Sequence, residues 1–229
     1  MSEWDVARDR RAVVKNALVL GSLLAVPGVV SAAEKLTTRE ANIVSKALMP
    51  AAPAASVTSP RVVRPELLRR ALAAIDRHGD RVKRDRIAIA DFAAPSAQAR
   101  FHLVDLHSGK STSFLVAHGS GSDPAHTGWL KRFSNQDGSN ASSEGAFLTE
   151  DYYVGKHGRS QRLIGLDPTN DNALSRAIVV HAAWYAGKDV LKARGMLGRS
   201  QGCFAVGEDD LSQVFARLGQ GRMIYAAKV

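Results

Sequence analysis

From residue 86 onward, apolar residues recur at every second position of this 229-residue chain, and this alternation constrains the fold more than any other feature. Residues 86–92 and 100–106 both alternate in this way, which is typical of strands with one buried face. Residues 107–110 (His-Ser-Gly-Lys) form a good tight turn, and residues 111–117 resume the alternation. The pattern therefore predicts a β-hairpin near the start of a mostly β domain.

The rest of the chain adds more strands and a few helices. The fold class that this order indicates is mostly β, a β-rich α+β arrangement with helices at the periphery. A Gly/Ser/Asn-rich segment at 118–145 is long for a structureless loop, and such loops are often functional. Further strands are predicted at 145–153, 161–166, 177–184 and 223–227, and helices at 34–48, from Pro65 to His78-Gly79, at 172–176 and at 208–218.

Residues 1–33 have the composition of an export signal. A basic stretch, an apolar run of about 14 residues and a stretch of small residues follow one another, as in secretory signals. The paired Arg10 and Arg11 resemble a twin-arginine signal, although an ordinary secretory signal with two chance arginines has the same features. Cleavage after Ala32, cleavage after Ala33 and retention as an anchor all stay open.

We predict that the chain has three parts. The signal at 1–33 is followed by helical segments and a Pro/Ala-rich linker at 34–85, and then by one catalytic domain at 86–229. No apolar run reaches the roughly 18–20 residues that a membrane span needs, so no stable span is expected after signal removal. Export predicts a periplasmic or cell-envelope location.

The composition narrows the classes of partner and site. The formal charge is +9, and removal of the predicted signal lowers it by only one, because the signal holds four basic and three acidic residues. An exported basic domain favours an anionic cell-wall partner over nucleic acid, although a solvated basic face without any partner is equally compatible. The single cysteine excludes an intramolecular disulfide and a Cys-based metal cage, so it can act only as a lone thiol.

The chemistry of the chain centres on Cys203. A thiol nucleophile needs a base, a group that orients the base, and backbone N–H groups aimed at the oxyanion. His181 ends an apolar strand and can serve as the base, while Gly202 permits a tight turn that exposes N–H groups. Arg199 adds positive charge that favours a thiolate. The alternative is that Cys203 is an ordinary buried thiol and His181 a core histidine.

These residues resemble the catalytic domain of murein L,D-transpeptidases of the YkuD type. The signature of that family is a histidine, then some fifteen to twenty residues, then Ser/Thr-His-Gly-Cys, and here eighteen residues lie between His181 and Ser200-Gln201-Gly202-Cys203. The sequence at 199–206, Arg-Ser-Gln-Gly-Cys-Phe-Ala-Val, matches one branch of the family. Other segments that match this branch lie at 118–121, 133–135, 142–145, 155–158, 163–166 and 175–181.

The resemblance implies a YkuD-like β-sandwich, a mechanism and a set of site residues, without a metal or another cofactor. Cys203 would attack the carbonyl that precedes a D-alanine in a peptidoglycan stem peptide and form a thioester, and an amine of a second stem would then form a 3→3 cross-link. His181 would move the protons, the Ala182 backbone carbonyl would orient its ring, and N–H groups of Gln201, Gly202 and Cys203 would hold the oxyanion.

The sequence departs from the more familiar motif at two positions. Gln201 stands where that motif has histidine, and Ala205 stands where it has asparagine, so substrate contacts cannot be transferred from the familiar branch. Candidate substrate-binding residues are Arg199, which could hold a carboxylate bidentately, Ser200 and His118. A surface cation at Arg199 and a structural hydrogen bond at His118 are the alternatives. Lys156, His157 and Arg176 match the family without a role that the sequence indicates.

Three functions remain open at this stage. The leading hypothesis is an exported cysteine L,D-transpeptidase. The second is an L,D-carboxypeptidase or hydrolase with water as acceptor at the same site, and the third is a non-catalytic module that binds the cell wall. A papain-like peptidase is disfavoured, because its cysteine precedes its histidine in the chain. The sequence indicates no oligomeric state.

Overall fold

A computed structural model of the chain describes residues 57–58 and 62–229. The predicted signal at 1–33, the predicted helix at 34–48 and most of the predicted linker at 50–60 lie outside these residues. Among the described helices, none combines the length and apolar character that a membrane crossing requires.

The described residues build one mixed sheet with helices around it. The sheet has nine strands in the order β1-β4-β3-β2-β9-β5-β6-β7-β8. The strands are β1 (Val57–Thr58), β2 (Arg86–Asp91), β3 (Phe101–Asp105), β4 (Ser111–Phe114), β5 (Gly145–Gly155), β6 (Gly158–Gly165), β7 (Val179–Ala182), β8 (Phe204–Val206) and β9 (Met223–Ala227), and the helices are α1 (Pro65–Arg77), α2 (Lys188–Arg194) and α3 (Leu211–Leu218).

The predicted hairpin and closing strand are confirmed. Strands β3 and β4 pair antiparallel from Phe101↔Phe114 to Val104↔Ser111, with the turn between them. Strand β9 covers the predicted residues 223–227 and lies between β2 and β5, parallel to the first and antiparallel to the second. The β-rich α+β fold class is therefore correct.

Alternate residues of the central strands pack into two cores on opposite faces. On one face, Ile87 and Ile89 pack with the apolar side of α1, so helix and sheet share this core. On the other face, Ala88 and Ala90 pack with α3 and with the aromatic residues of a larger core, in which Phe204 contributes from β8. The residues that alternate along a strand therefore fill a core on each face of the sheet.

The sheet closes on itself next to Cys203. The segment after β4 continues as far as Ala117, which forms an antiparallel bridge to Ala205 of β8. Gly119 forms a parallel bridge to Ser200. These bridges tie the β4 end of the sheet to the residues immediately around Cys203, as a sandwich-like closure requires.

Several predicted elements differ in detail. Residues 172–176 are hydrogen-bonded turns rather than a helix, and Val179–Ala182 is shorter than the predicted strand at 177–184, because a 3₁₀ turn begins at Trp184. Part of the predicted linker is a strand, since Val57 pairs with Thr112. The helix predicted at 208–218 begins only at Leu211, after a turn, and helix α2 was not predicted.

Candidate active site

Two neighbouring parallel strands bring Cys203 and His181 to one cleft. In the β7–β8 ladder Val180 pairs with Phe204 and His181 with Ala205, so Cys203 lies immediately before β8, next to β7. Both residues line a cleft of about 610 Å³. The cleft is bordered by Asp137, Gly138, Asn140, Tyr153, Lys156, His157, Ser175, Arg176, Ala177, Val179, Tyr185, Arg199, Ser200 and Gln201.

The Cys203 thiol is partly exposed and lies between opposing influences. Its Sγ is 3.6 Å from the carbonyl oxygen of Ala177, a residue in the left-handed region at φ 52°. Burial raises the pKa of the thiol, while a backbone hydrogen bond from Val179 and the positive charges of Arg176 and Lys156 act to lower that pKa. A thiol held mainly protonated in this way needs a base at the moment of attack.

The His181 imidazole is held with one nitrogen available to the cleft. Its Nδ1 lies 2.8 Å from the Ala182 carbonyl oxygen, and because a carbonyl can only accept, Nδ1 carries the proton. Nε2 therefore has the free lone pair that a general base needs. Burial lowers the pKa of His181, and His157 and Lys156 lower it further, whereas the Ala182 hydrogen bond opposes the shift.

The turn before Cys203 depends on a glycine. Gly202 has φ +112°, and a Cβ there would lie 2.7 Å from the Ala141 carbonyl oxygen and 2.8 Å from Cδ1 of Ile178. The Ser200 hydroxyl accepts the Gly202 N–H at 3.1 Å and donates to the Cys203 carbonyl at 2.7 Å. The Gly202 N–H thus already has a partner in this state, and the Ser200 hydroxyl closes the turn.

The three predicted substrate-binding residues lie in different surroundings. Arg199 borders the cleft and donates to the carbonyls of Asp123 and Pro124, so one edge of its guanidinium is tied to the loop. Ser200 borders the cleft from within the turn, and Gln201 is exposed there. His118 does not line the cleft: it is 1% exposed and its Nδ1 bonds to Arg100 at 2.7 Å. Its contacts match the structural alternative rather than substrate binding.

Arg176, for which the sequence indicated no role, makes several hydrogen bonds beside the site. The Arg176 guanidinium donates to the carbonyls of Ser134 and Ala141 and to the hydroxyls of Ser139 and Ser143. These bonds hold the loop at 134–143 against the turns that precede β7, and Arg176 itself borders the cleft that contains Cys203. An arginine five residues before His181 was the only signal in the sequence, and nothing in it specified these partners. In the described part of the chain, no three His, Cys, Asp or Glu side chains are grouped as metal ligands.

Comparison with known proteins gives a family match over most of the chain. A family model described as the L,D-transpeptidase catalytic domain matches residues 60–227. No curated protein matches the sequence. The solved structures that are similar include an L,D-transpeptidase from Mycobacterium smegmatis, at 12% identity and a TM-score of 0.38 over 62% of this chain and 58% of that chain.

Two further solved structures are similar at the same level. An L,D-transpeptidase from Stackebrandtia nassauensis has 13% identity and a TM-score of 0.37 over 72% of this chain and 71% of that chain. The helical cell shape determining protein Pgp2 from Campylobacter jejuni has 9% identity and a TM-score of 0.41 over 62% and 47%. The chain thus spans less than two thirds of the length of most of these structures.

Proposed function

The chain belongs to the L,D-transpeptidase catalytic domain family, and from this premise we propose that it is an exported cysteine transpeptidase acting on peptidoglycan stem peptides. The observation that carries the proposal is the pairing in one cleft of the Cys203 thiol with a histidine whose Nε2 lone pair is free. A module that only bound the wall would have no need of this pair.

In the proposed reaction His181 relays one proton in each half: from the Cys203 thiol to the leaving amine, and then from the incoming amine back to the thiol. Nε2 of His181 takes the thiol proton as Cys203 Sγ attacks the carbonyl that precedes the terminal D-alanine. The C–N bond then breaks, the D-alanine amine leaves with the proton from His181, and a thioester remains on Cys203. A side-chain amine of a second stem attacks the thioester, its proton passes through His181, and the thiol is regenerated with a 3→3 cross-link.

Backbone N–H groups of the turn are the proposed oxyanion donors. The turn offers those of Gln201, Gly202 and Cys203, and fixed donors of this kind contribute strongly in a water-poor site. Because the Gly202 N–H donates to Ser200 in the present state, we assign the oxyanion first to the other two groups. Arg199 and Ser200 are proposed to contact the stem from the rim of the cleft.

The parts of the chain take the following proposed roles. Residues 1–33 direct export, by a twin-arginine route, to the periplasm or cell envelope. Residues 34–85 form the preface, whose last helix α1 packs on the sheet, and 86–229 form the catalytic domain. We propose no metal or other cofactor, because thiol, imidazole and backbone donors supply every step.

The experiment that tests the function uses Cys203→Ala. Incubation of the purified chain with tetrapeptide stems is expected to release D-alanine and to give a thioester adduct by mass spectrometry, and the variant is expected to do neither while keeping the same Tm. Omission of an acceptor stem separates the two reactions: continued D-alanine release with hydrolysed product would assign a carboxypeptidase. Absence of both adduct and D-alanine with the unmodified chain would overturn the proposal.

A further inference from the structure

The tip of the β5–β6 hairpin lies over the candidate base. Gly155 pairs with Gly158, which leaves Lys156 and His157 as a two-residue turn, and Gly158 adopts φ +71°. The His157 ring stacks on the His181 ring, with centroids 4.4 Å apart and planes inclined by 25°. We propose that His157 is a positioning residue that holds the His181 imidazole by this stack, an inference that rests on the proposed function.

The exposure of the two rings shows which residue covers the other. His181 is 2% exposed, whereas His157 is exposed, so the hairpin tip covers the base rather than the reverse. Just below its tip the same hairpin is fixed beside the base, because Ser160 of β6 pairs with His181 of β7. The hairpin therefore contacts His181 twice, through the backbone ladder and through the ring.

Two independent constraints then fix the orientation of the base. The Nδ1 hydrogen bond to Ala182 sets which edge of the ring points away from the cleft, but it leaves rotation about that contact. The stacked ring of His157 covers one face and removes this rotation, so that Nε2 keeps its direction. Stacked aromatic rings attract each other beyond what the area that they bury contributes.

The stack also affects the charged state that forms during reaction. When His181 accepts the thiol proton, a protonated His157 stacked on it would repel the new cation, whereas a neutral His157 would not. Burial and then Lys156 lower the pKa of His157, which favours the neutral form. The other titratable or charged groups that border the cleft are Asp137, Tyr153, Arg176, Tyr185, Arg199 and Cys203.

The single cysteine allows a test that needs no substrate. The rate at which iodoacetamide alkylates Cys203 is measured between about pH 5 and 9, together with D-alanine release, for the unmodified chain, His157→Ala and His157→Phe. His107→Ala is the matched control, because His107 is an exposed histidine in the β3–β4 turn that does not line the cleft.

We expect His157→Ala to lower kcat/KM for D-alanine release roughly two- to tenfold, as the loss of an aromatic pair implies. Because water then reaches His181, the pKa of its imidazole rises towards the ordinary value, and the acid limb of both profiles moves to higher pH. His157→Phe keeps the ring and is expected to restore most of the rate, with an acid limb closer to that of the unmodified chain. His107→Ala changes neither.

Two results would overturn the proposal. One is a His157→Ala profile that superposes on that of the unmodified chain, and the other is a His157→Phe variant as slow as His157→Ala, since the ring would then not be what positions the base. The proposed function fails separately: an unmodified chain that alkylates normally but releases no D-alanine contradicts the transpeptidase, while the alkylation profiles still test the stack.

Discussion

Two buried histidines, His118 and His181, sit in similar surroundings and are prepared for opposite tasks. Both are almost completely buried, at 1% and 2% exposure, and burial is the main cause that lowers the pKa of each. Both also have cationic side chains nearby. They differ in which ring nitrogen carries the proton and in what the other nitrogen faces.

At His118 the lone pair is already used. The Arg100 guanidinium can only donate, so Nδ1 of His118 accepts at 2.7 Å and the proton must be on Nε2, which faces the Asp123 carboxylate at 3.5 Å. Arg100 is itself fully buried and donates to the carbonyls of Ala94 and Val116. Burial, followed by the charge of Arg100, lowers the pKa of His118 to about 4.

At His181 the tautomer is reversed. Nδ1 carries the proton and donates to a backbone carbonyl, and the lone pair on Nε2 is left without an obligatory donor at the edge of the cleft. Burial therefore does not by itself make a histidine a base. A base needs a neutral ring whose acceptor nitrogen is free. At His181 the backbone carbonyl of Ala182 takes the N–H and leaves the lone pair free, whereas at His118 the Arg100 guanidinium occupies the lone pair.

The same substitution at both histidines tests most directly whether His181 and His118 have different roles. His181→Gln is expected to reduce D-alanine release by roughly a thousandfold, which is the scale of general acid–base catalysis, with little change in stability. His118→Gln is expected to keep kcat within about threefold and to lower the free energy of unfolding by about 1–3 kcal/mol, because buried donors lose a matched partner. Kinetics and urea unfolding measure the two effects.

Equal losses of activity at the two positions would contradict this division. The outcome would mean that His118 belongs to the reaction after all, as the sequence allowed, and that the cleft extends to it in solution.

The next largest effect concerns the arginine that occupies the His118 lone pair. Arg100→Met is expected to lower the free energy of unfolding by about 3 kcal/mol or more, because His118 and two buried carbonyls lose their donor. Arg69→Met is the matched control, since the exposed Arg69 pairs with Glu66 on the surface, and a change below about 1 kcal/mol is expected there. Urea unfolding of both variants provides the measurement.

A loss at Arg100 no greater than at Arg69 would show that the buried network adds no stability. The position of His118 would then rest on its backbone, because the His118 carbonyl accepts the Ser200 N–H.

The sequence was sufficient for the parts of this comparison that depend on local pattern. Alternation predicted the hairpin and the closing strand, because this pattern is local, whereas a shared site for His181 and Cys203 was expected from the resemblance of their motif to a known family. The role of His118 was not predictable, since its partner Arg100 lies 18 residues earlier, just before β3, and only the folded chain brings the two together. The same holds for the bonds of Arg176 and for the stack of His157 on His181, which join residues far apart in the sequence.

The smallest expected effect is a pH dependence of stability that separates the two histidines. The pKa of His118 is lowered to about 4, from an ordinary value of 6.5 in the unfolded chain. Between these values the unfolded chain binds a proton that the folded chain does not, so stability falls as pH falls from about 6.5 towards 4. For one histidine the loss is at most about 3 kcal/mol.

His118→Gln should therefore flatten the decline of the unfolding free energy between about pH 7 and 4.5, as measured by urea unfolding at a series of pH values. Some decline must remain, because burial also lowers the pKa of His102 and of His181. His107→Gln, at an exposed histidine, should leave the decline unchanged. If His118→Gln and His107→Gln gave the same curve, His118 would be protonated in the folded chain, and Arg100 could not donate to its Nδ1, because that nitrogen would carry a proton of its own.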